Sequence, residues 1–317
     1  MSEIEYQRKL LGDPVRNQAF HAALQQVVVK GETTLADVGA GTGFLSFLAL
    51  QLGARHCTLI EYTETLRLAR QLAKRNGLQA LSFVQKHSSE VRELAVDVVI
   101  SETLGNYALE EGLLETLVDA RRFLKAGGTV IPAELRQFVA PVLDAHLQEE
   151  LDIWPQVGFS LDLAVARDIA LNNMYVKRVL PADIGGDATL ARCWDHLQFA
   201  PQFPPPPSLR HSVQNWRAEE LAARGAQRVF GYVLWWEAEL VPGISLSTSP
   251  FAEPTHWDQI YLPLLEPLAL APGQQLEVTM KSDTRPQAGV RVSWQSRVLA
   301  DGKCVKQLDQ DMQKGRL

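Results

Sequence analysis

Thr34-Leu35-Ala36-Asp37-Val38-Gly39-Ala40-Gly41-Thr42-Gly43 joins a short apolar run to a turn built on three glycines. The run is of strand type, and the turn opens on the helix-like stretch Phe44 to Leu52. Without a Cβ, glycines allow a tight turn and let a ligand approach the backbone closely. A dinucleotide fold would need G-x-G-x-x-G here. The third glycine instead arrives one residue early, and Phe44 stands where it would be required. This spacing suits a nucleoside with no pyrophosphate to cradle. Glu61 ends the next strand, about 20 residues past the turn, where a carboxylate can accept hydrogen bonds from both ribose hydroxyls. A glycine-rich turn after a strand is often only a turn. Asp37 before it and Glu61 after it favour a nucleoside-containing cofactor.

Outward from this stretch, strands and helices alternate. Cys57 to Glu61 reads as a strand, and Glu64 to Arg75 as a helix with Leu66, Ala69, Leu72 and Ala73 on one face. Leu81 to Val84 and Asp97 to Ser101 read as further strands. Glu111 to Leu124 is helical, with Gly127 and Gly128 placed to cap its end. The alternation predicts an α/β, doubly wound, Rossmann-like domain over residues 1–132. Beyond Ile131-Pro132 the period becomes two. Gln227 to Leu240 is a long β-type run, Leu276, Val278 and Met280 alternate with polar residues, and so do Val290, Val292 and Trp294. Residues 133–317 are therefore expected to form antiparallel strands with one buried face. The stretch from Trp154 to Leu197 is less regular, with Leu161 to Ile169 helix-like, and Pro204 to Pro207 reads as a stiff extended connector.

Composition narrows the function. With 46% hydrophobic and 21% charged residues in 317, the chain is expected to fold throughout. A net charge of −6 argues against a nucleic-acid phosphate binder and suits a basic partner better. No stretch approaches the roughly 18 apolar residues of a membrane span, so no membrane partner is expected. Met1 to Pro14 has no basic segment leading into an apolar core, which predicts no secretory signal. Cys57, Cys193 and Cys304 are widely spaced, with no metal-like pair and no disulfide framework. Reduced thiols, no metal and a cytoplasmic location, with the nucleus also open, are the expectation.

The reaction is written further along, in Ser101-Glu102-Thr103-Leu104-Gly105-Asn106-Tyr107-Ala108-Leu109-Glu110-Glu111. In an open α/β sheet, ligands bind beyond the carboxyl ends of the strands, which places Glu102 at the mouth of the site. Gly105 permits a turn that returns Glu111 towards it. Two facing carboxylates repel unless a cation lies between them. A guanidinium is planar, keeps its charge and presents five donors, so one carboxylate can hold each edge. The plainer reading is that Glu110 and Glu111 begin a helix, where acidic residues favour the dipole.

Leu35 to Pro132 resembles a class I S-adenosylmethionine-dependent methyltransferase, and Ser101 to Glu111 resembles the double-glutamate loop of protein arginine N-methyltransferases. Ser247-Thr248-Ser249-Pro250 and Thr255-His256-Trp257 resemble that family's Thr-His-Trp loop and its lead-in, and Leu11-Gly12-Asp13-Pro14-Val15-Arg16 resembles its N-terminal helix. The likeness implies a methyltransferase domain followed by a β-barrel, with S-adenosylmethionine as cofactor and arginine in proteins or peptides as acceptor. It implies that Arg16 pairs with the cofactor's methionine carboxylate, that Asp37, Gly39 and Gly41 shape its pocket, and that Glu61 binds the ribose. The adenine side would fall near Ser88 and Ser89. Glu102 and Glu111 would clamp the guanidinium, and His256 would pair with Asp13 and relay the released proton. Trp154 to about Leu197 would form an arm that packs on a second subunit, giving a homodimer. The aromatic-rich helix that lids the cofactor in the family is lacking, with only Tyr6 remaining. A methyltransferase for a small guanidine or amine is the nearest rival, a cofactor-binding regulator without catalysis is another, and a nicotinamide-dependent dehydrogenase fits worst.

Overall fold

The computed structural model describes residues 3–285 and 287–317; Met1 and Ser2, at the start of the first predicted domain, lie outside the described residues. Helices α1 (Glu3–Leu11) and α2 (Pro14–Val27) precede β1 (Thr34–Val38). Then follow α3 (Phe44–Gln51), β2 (His56–Ile60), α4 (Thr65–Arg75), β3 (Leu81–Val84), β4 (Val96–Ile100), α5 (Leu113–Ala120) and β5 (Leu124–Ile131). The five strands are parallel in the order β3-β2-β1-β4-β5. Strand order reverses between β1 and β4, which opens a crevice at their carboxyl ends. β1 and β2 are buried nearly end to end, the pattern of strands covered on both faces.

One boundary differs from the sequence expectation. Helix α5 ends at Ala120 in a short 3-10 turn, and Gly127 and Gly128 lie within β5 instead of capping the helix. A register shift between Val96 and Val98 accommodates that strand beside β4. The turn is held from outside the domain. Arg121 donates from Nε to the Phe199 carbonyl at 2.8 Å and from Nη2 to that of Gln198 at 3.1 Å.

The second half contains β6 (Glu134–Val142), α6 (His146–Leu151), α7 (Ala164–Ala170), β7 (Tyr175–Lys177), β8 (Arg192–Gln198), β9 (Leu209–Arg217) and α8 (Ala218–Ala222). It closes with β10 (Arg228–Val241), β11 (Ile244–Ser247), β12 (Gln259–Ala269), β13 (Gln275–Asp283), β14 (Arg291–Ala300) and β15 (Lys303–Asp311). One antiparallel sheet runs β7-β12-β10-β6-β8, with β11 on β10, and the other runs β15-β14-β13-β9. β8 neighbours β9 and β12 neighbours β15, so the sheets meet at both edges as a barrel. Alternate residues of β13 (Leu276, Val278, Met280) and β14 (Val292, Trp294, Val298) turn inward to meet the buried Trp216, Tyr232 and Trp236. That apolar core continues without a break into the first domain through Leu104, Tyr107 and Leu109.

Two strands within 154–197, the stretch expected to form an arm, join the barrel sheet, β7 by pairing with β12 and β8 by pairing with β6. Exposed apolar side chains here are Ile153, Val157, Phe159, Leu161 and Val165, with Phe159 89% and Val165 76% exposed, and further along Val176 and Leu180.

Candidate active site

A cavity of about 560 Å³ opens at the β1/β4 crevice. Its floor is the glycine turn. The amides of Gly39 and Ala40 donate to the Ile60 carbonyl at 2.9 and 3.2 Å, pinning the turn against β2. Gly39 has φ +74°, and a Cβ there would lie 2.8 Å from the Thr103 methyl. At Gly41, with φ +52°, it would lie 3.0 Å from the Gln7 amide. Both positions favour glycine because their left-handed backbone strains any other residue.

Two carboxylates frame this floor. Asp37, at the end of β1, is buried and accepts from Ser46 Oγ at 2.8 Å and Ser46 N at 3.2 Å. Burial raises its pKa to about 6 in spite of these hydrogen bonds. Glu61 follows β2 and spreads its two oxygens, one accepting from Gly41 N at 3.1 Å and the other from Thr63 N at 2.8 Å. Phe44, Leu45 and Tyr62 supply apolar wall. A cradle with no room for a Cβ, an oriented carboxylate and an apolar flank fit an adenosine-type group. Ser88 and Ser89 do not join them. They lie on a 3-10 turn after β3, outside this lining, where Ser88 O accepts from Arg122 and Ser89 Oγ bonds to His87 Nδ1.

The other wall is the double-glutamate loop, and the structure brings both glutamates to the cavity. Glu102 takes the guanidinium of Arg16, from Nε at 2.9 Å and also from Nη2, with both side chains almost fully buried. Arg16, expected to face the cofactor's carboxylate, lines the cavity and is held by Glu102. Its Nη1 bonds to Asn17 Oδ1 at 2.9 Å, and its charge lies 5.5 Å from the Phe20 ring centre. Glu111 accepts from the Tyr6 hydroxyl at 2.5 Å. Desolvation raises the Glu111 pKa and the Glu102 charge adds to the rise, while the Tyr6 hydrogen bond opposes it.

Asp13 and His256 meet as expected from the resemblance. Asp13 caps α2 by accepting from Arg16 N at 2.9 Å, and its second oxygen accepts from His256 N and Nδ1, both at 2.8 Å. Burial works against the Asp13 charge, but these hydrogen bonds outweigh it and hold the carboxyl below its usual range. The His256 ring lies against Trp257 at 3.8 Å, leaving a buried Nε2 with no hydrogen-bond partner among the described residues.

The sequence reading missed the roof. Tyr6, Gln7, Leu10 and Leu11 of α1 line the cavity, so the short N-terminal segment does supply a cover. The available signal was the helical spacing of Tyr6 with Leu10, which places both on one face.

Fold and site together define an α/β nucleoside-cofactor enzyme whose acceptor pocket is lined by carboxylates. Comparison with known proteins carries this further. Residues 133–297 match the family model described as the arginine methyltransferase oligomerization subdomain, and residues 29–214 match a methyltransferase domain. Protein arginine N-methyltransferase 6 of Xenopus tropicalis is 30% identical over 92% of this chain and 84% of its own length. The probable protein arginine N-methyltransferase 1.2 of Arabidopsis thaliana is 27% identical over 86% of this chain and 74% of its own. Among solved structures, a Trypanosoma brucei PRMT1 enzyme–prozyme heterotetrameric complex with AdoHcy superposes with a TM-score of 0.82 at 23% identity, covering 96% of both chains. Arabidopsis thaliana protein arginine methyltransferase 10 does so at 0.77, with 20% identity and 97% of both chains covered. The chain belongs to the protein arginine N-methyltransferase family.

Proposed function

We propose that this chain transfers a methyl group from S-adenosylmethionine to a guanidinium nitrogen of arginine in a protein or peptide. The observation that carries the reading is the shared cavity. Glu102 and Glu111 line the same space as Gly39, Gly41 and Glu61, and Glu102 already grips a guanidinium, that of Arg16. When bound, the cofactor supplies a methyl group activated on a sulfonium. Glu61 would hold the ribose, Gly39 and Gly41 would admit the nucleoside to the backbone, and Arg16 would meet a carboxylate.

The chain's task is then alignment and electrostatics. The arginine side chain is protonated at any physiological pH, with a pKa above about 12, so its nitrogen lone pairs are delocalised and weakly nucleophilic. Carboxylates on two edges draw positive charge towards the nitrogens they bind and leave the third freer to attack. Burial beside Glu102 strengthens this pull, since charge interactions gain weight away from bulk water. The Asp13–His256 pair would receive the proton that the methylated nitrogen releases, a role supported by its electrostatic coupling to Glu111.

The reading extends to assembly. A homodimer would cover the apolar stretch from Ile153 to Val165, and the matching oligomerization subdomain supports association.

The test is transfer of labelled methyl from S-adenosylmethionine to arginine-rich peptides, basic proteins and free guanidines. Glu102→Gln and Glu111→Gln are expected to lose at least about 100-fold in kcat, the scale of removing one stabilising group from a transition state, while binding S-adenosylhomocysteine within a few-fold of the unsubstituted protein. Near-normal turnover in either variant would sink the clamp. Label on free guanidines but never on peptides would move the assignment to a small-molecule acceptor.

A further inference from the structure

Tyr107 lies midway along the loop that carries Glu102 and Glu111, yet it points away from the cavity. Its ring is buried, and its hydroxyl donates to Ser282 Oγ on β13 at 2.7 Å. The same Ser282 oxygen accepts from Arg210 Nη2 of β9 at 2.9 Å. Arg210 Nε in turn donates to Asp195 Oδ2 of β8 at 2.8 Å, and Gln137 Nε2 of β6 reaches that oxygen at 2.9 Å. Every one of these side chains is buried. Side chains of four strands from both sheets of the barrel are therefore linked in one chain of hydrogen bonds that reaches the loop hydroxyl through Ser282.

A buried ion pair is poor evidence of stabilisation by itself, because desolvation offsets the attraction between the charges. What it does supply is geometry. A fully hydrogen-bonded buried network admits one arrangement, and leaving any member unpaired is costly. Tyr107 is joined by a closed turn to Glu110, the residue next to Glu111. The Tyr107 carbonyl accepts from Glu110 N at 2.9 Å, and Glu110 Oε2 returns to Tyr107 N at 3.4 Å. Gly105 packs so closely that a Cβ there would meet Glu110 Oε2 at 2.5 Å. The near end of the loop is tied to the barrel as well, with Trp236 Nε1 donating to Gly105 O at 3.0 Å and Trp257 Nε1 to Leu104 O at 2.8 Å. A shift of Tyr107 must therefore pass to Glu111.

We propose that Tyr107 is a positioning residue for the acceptor site: its hydroxyl, anchored on Ser282 and the buried Arg210–Asp195 pair, sets where Glu111 stands relative to Glu102. The barrel thereby determines the spacing of the two carboxylates without touching the acceptor. The inference rests on the arginine-methyltransferase reading above.

Tyr107→Phe removes the hydroxyl and keeps the ring. Its kcat/KM for an arginine peptide is expected to fall at least about tenfold, the size of one lost buried hydrogen bond, with the S-adenosylhomocysteine Kd unchanged within twofold. Ser282→Ala, which alters the partner alone, should give a similar loss, and the double variant should lose little more than either single one. A structural role alone would lower the melting temperature and leave kcat/KM per folded molecule intact below it. If the folded Tyr107→Phe protein keeps kcat/KM within twofold, the proposal is overturned. Should that variant fail to fold, Ser282→Ala decides by the same criterion. Glu102→Gln, run alongside, separates the two ideas. An active Glu102→Gln undoes the site reading, whereas an inactive Glu102→Gln with an active Tyr107→Phe undoes only the anchor.

Discussion

Asp37 carries a measurable consequence of its burial. In the folded chain its pKa is raised from 3.8 to about 6, because desolvation outweighs the two hydrogen bonds from Ser46. A rise of roughly 2 pKa units at about 1.36 kcal/mol each amounts to about 3 kcal/mol. The folded state binds this proton more tightly than the unfolded chain does, so stability falls as pH rises wherever the native form holds the extra proton. The contribution is fully present below pH 3.8 and is lost as pH climbs through about 6. Asp37→Asn cannot titrate and lacks this dependence. Other carboxylates, Asp13 among them, act in the opposite direction, so the difference between the two proteins is the quantity to follow. Urea unfolding of both at half-unit steps from pH 4 to pH 7.5 should show the stability of Asp37→Asn relative to the parent rising by about 2.4 kcal/mol across the range, since part of the effect is lost below pH 4. The value at any single pH also contains the Ser46 hydrogen bonds, which an asparagine oxygen keeps only in part. A relative stability that stays within about 1 kcal/mol from end to end would refute the argument that burial controls this carboxyl.

Tyr6→Phe removes the phenol that donates to Glu111 at 2.5 Å. Because that bond lowers the Glu111 pKa, the acidic limb of the kcat/KM profile for an arginine peptide should move to higher pH and the plateau should fall roughly tenfold; an unmoved limb would show that Tyr6 does not act through Glu111. The paired change Phe159→Asp and Val165→Asp places charge on the most exposed apolar side chains between Ile153 and Val165, and, on the proposed homodimer, light scattering should then show dimer replaced by monomer. A parent protein that is monomeric at every concentration would remove the basis for that interface.

How much of this molecule was legible beforehand depended on how local the signal was. β1, the glycine turn and α3 were readable because a short apolar run, left-handed glycines and a 3.6-residue period each report on the backbone of their own segment. The β13 and β14 strands were equally plain from their alternation, which only a sheet with one buried face produces. Glu61 could be placed because the length of one βα unit fixes where the next strand ends. The junction from α5 to β5 was misread, since Gly127 and Gly128 are as apt for a helix cap as for an irregular strand, and the choice is made by Arg121 reaching the carbonyls of Gln198 and Phe199.

The side-chain partnerships were decided by tertiary structure alone. Arg16 could be named as a ligand-facing residue, but its grip on Glu102 arises because folding brings α2 to the residues just beyond β4. Tyr6 meets Glu111 because α1 folds back over the cavity. Tyr107, an unremarkable loop residue in the sequence, becomes the point where a chain of hydrogen bonds through four barrel strands reaches the catalytic loop. Periodicity encodes which face of an element is buried. It does not encode which residue of a distant element will fill the facing position, because that depends on how the elements pack once all of them are formed.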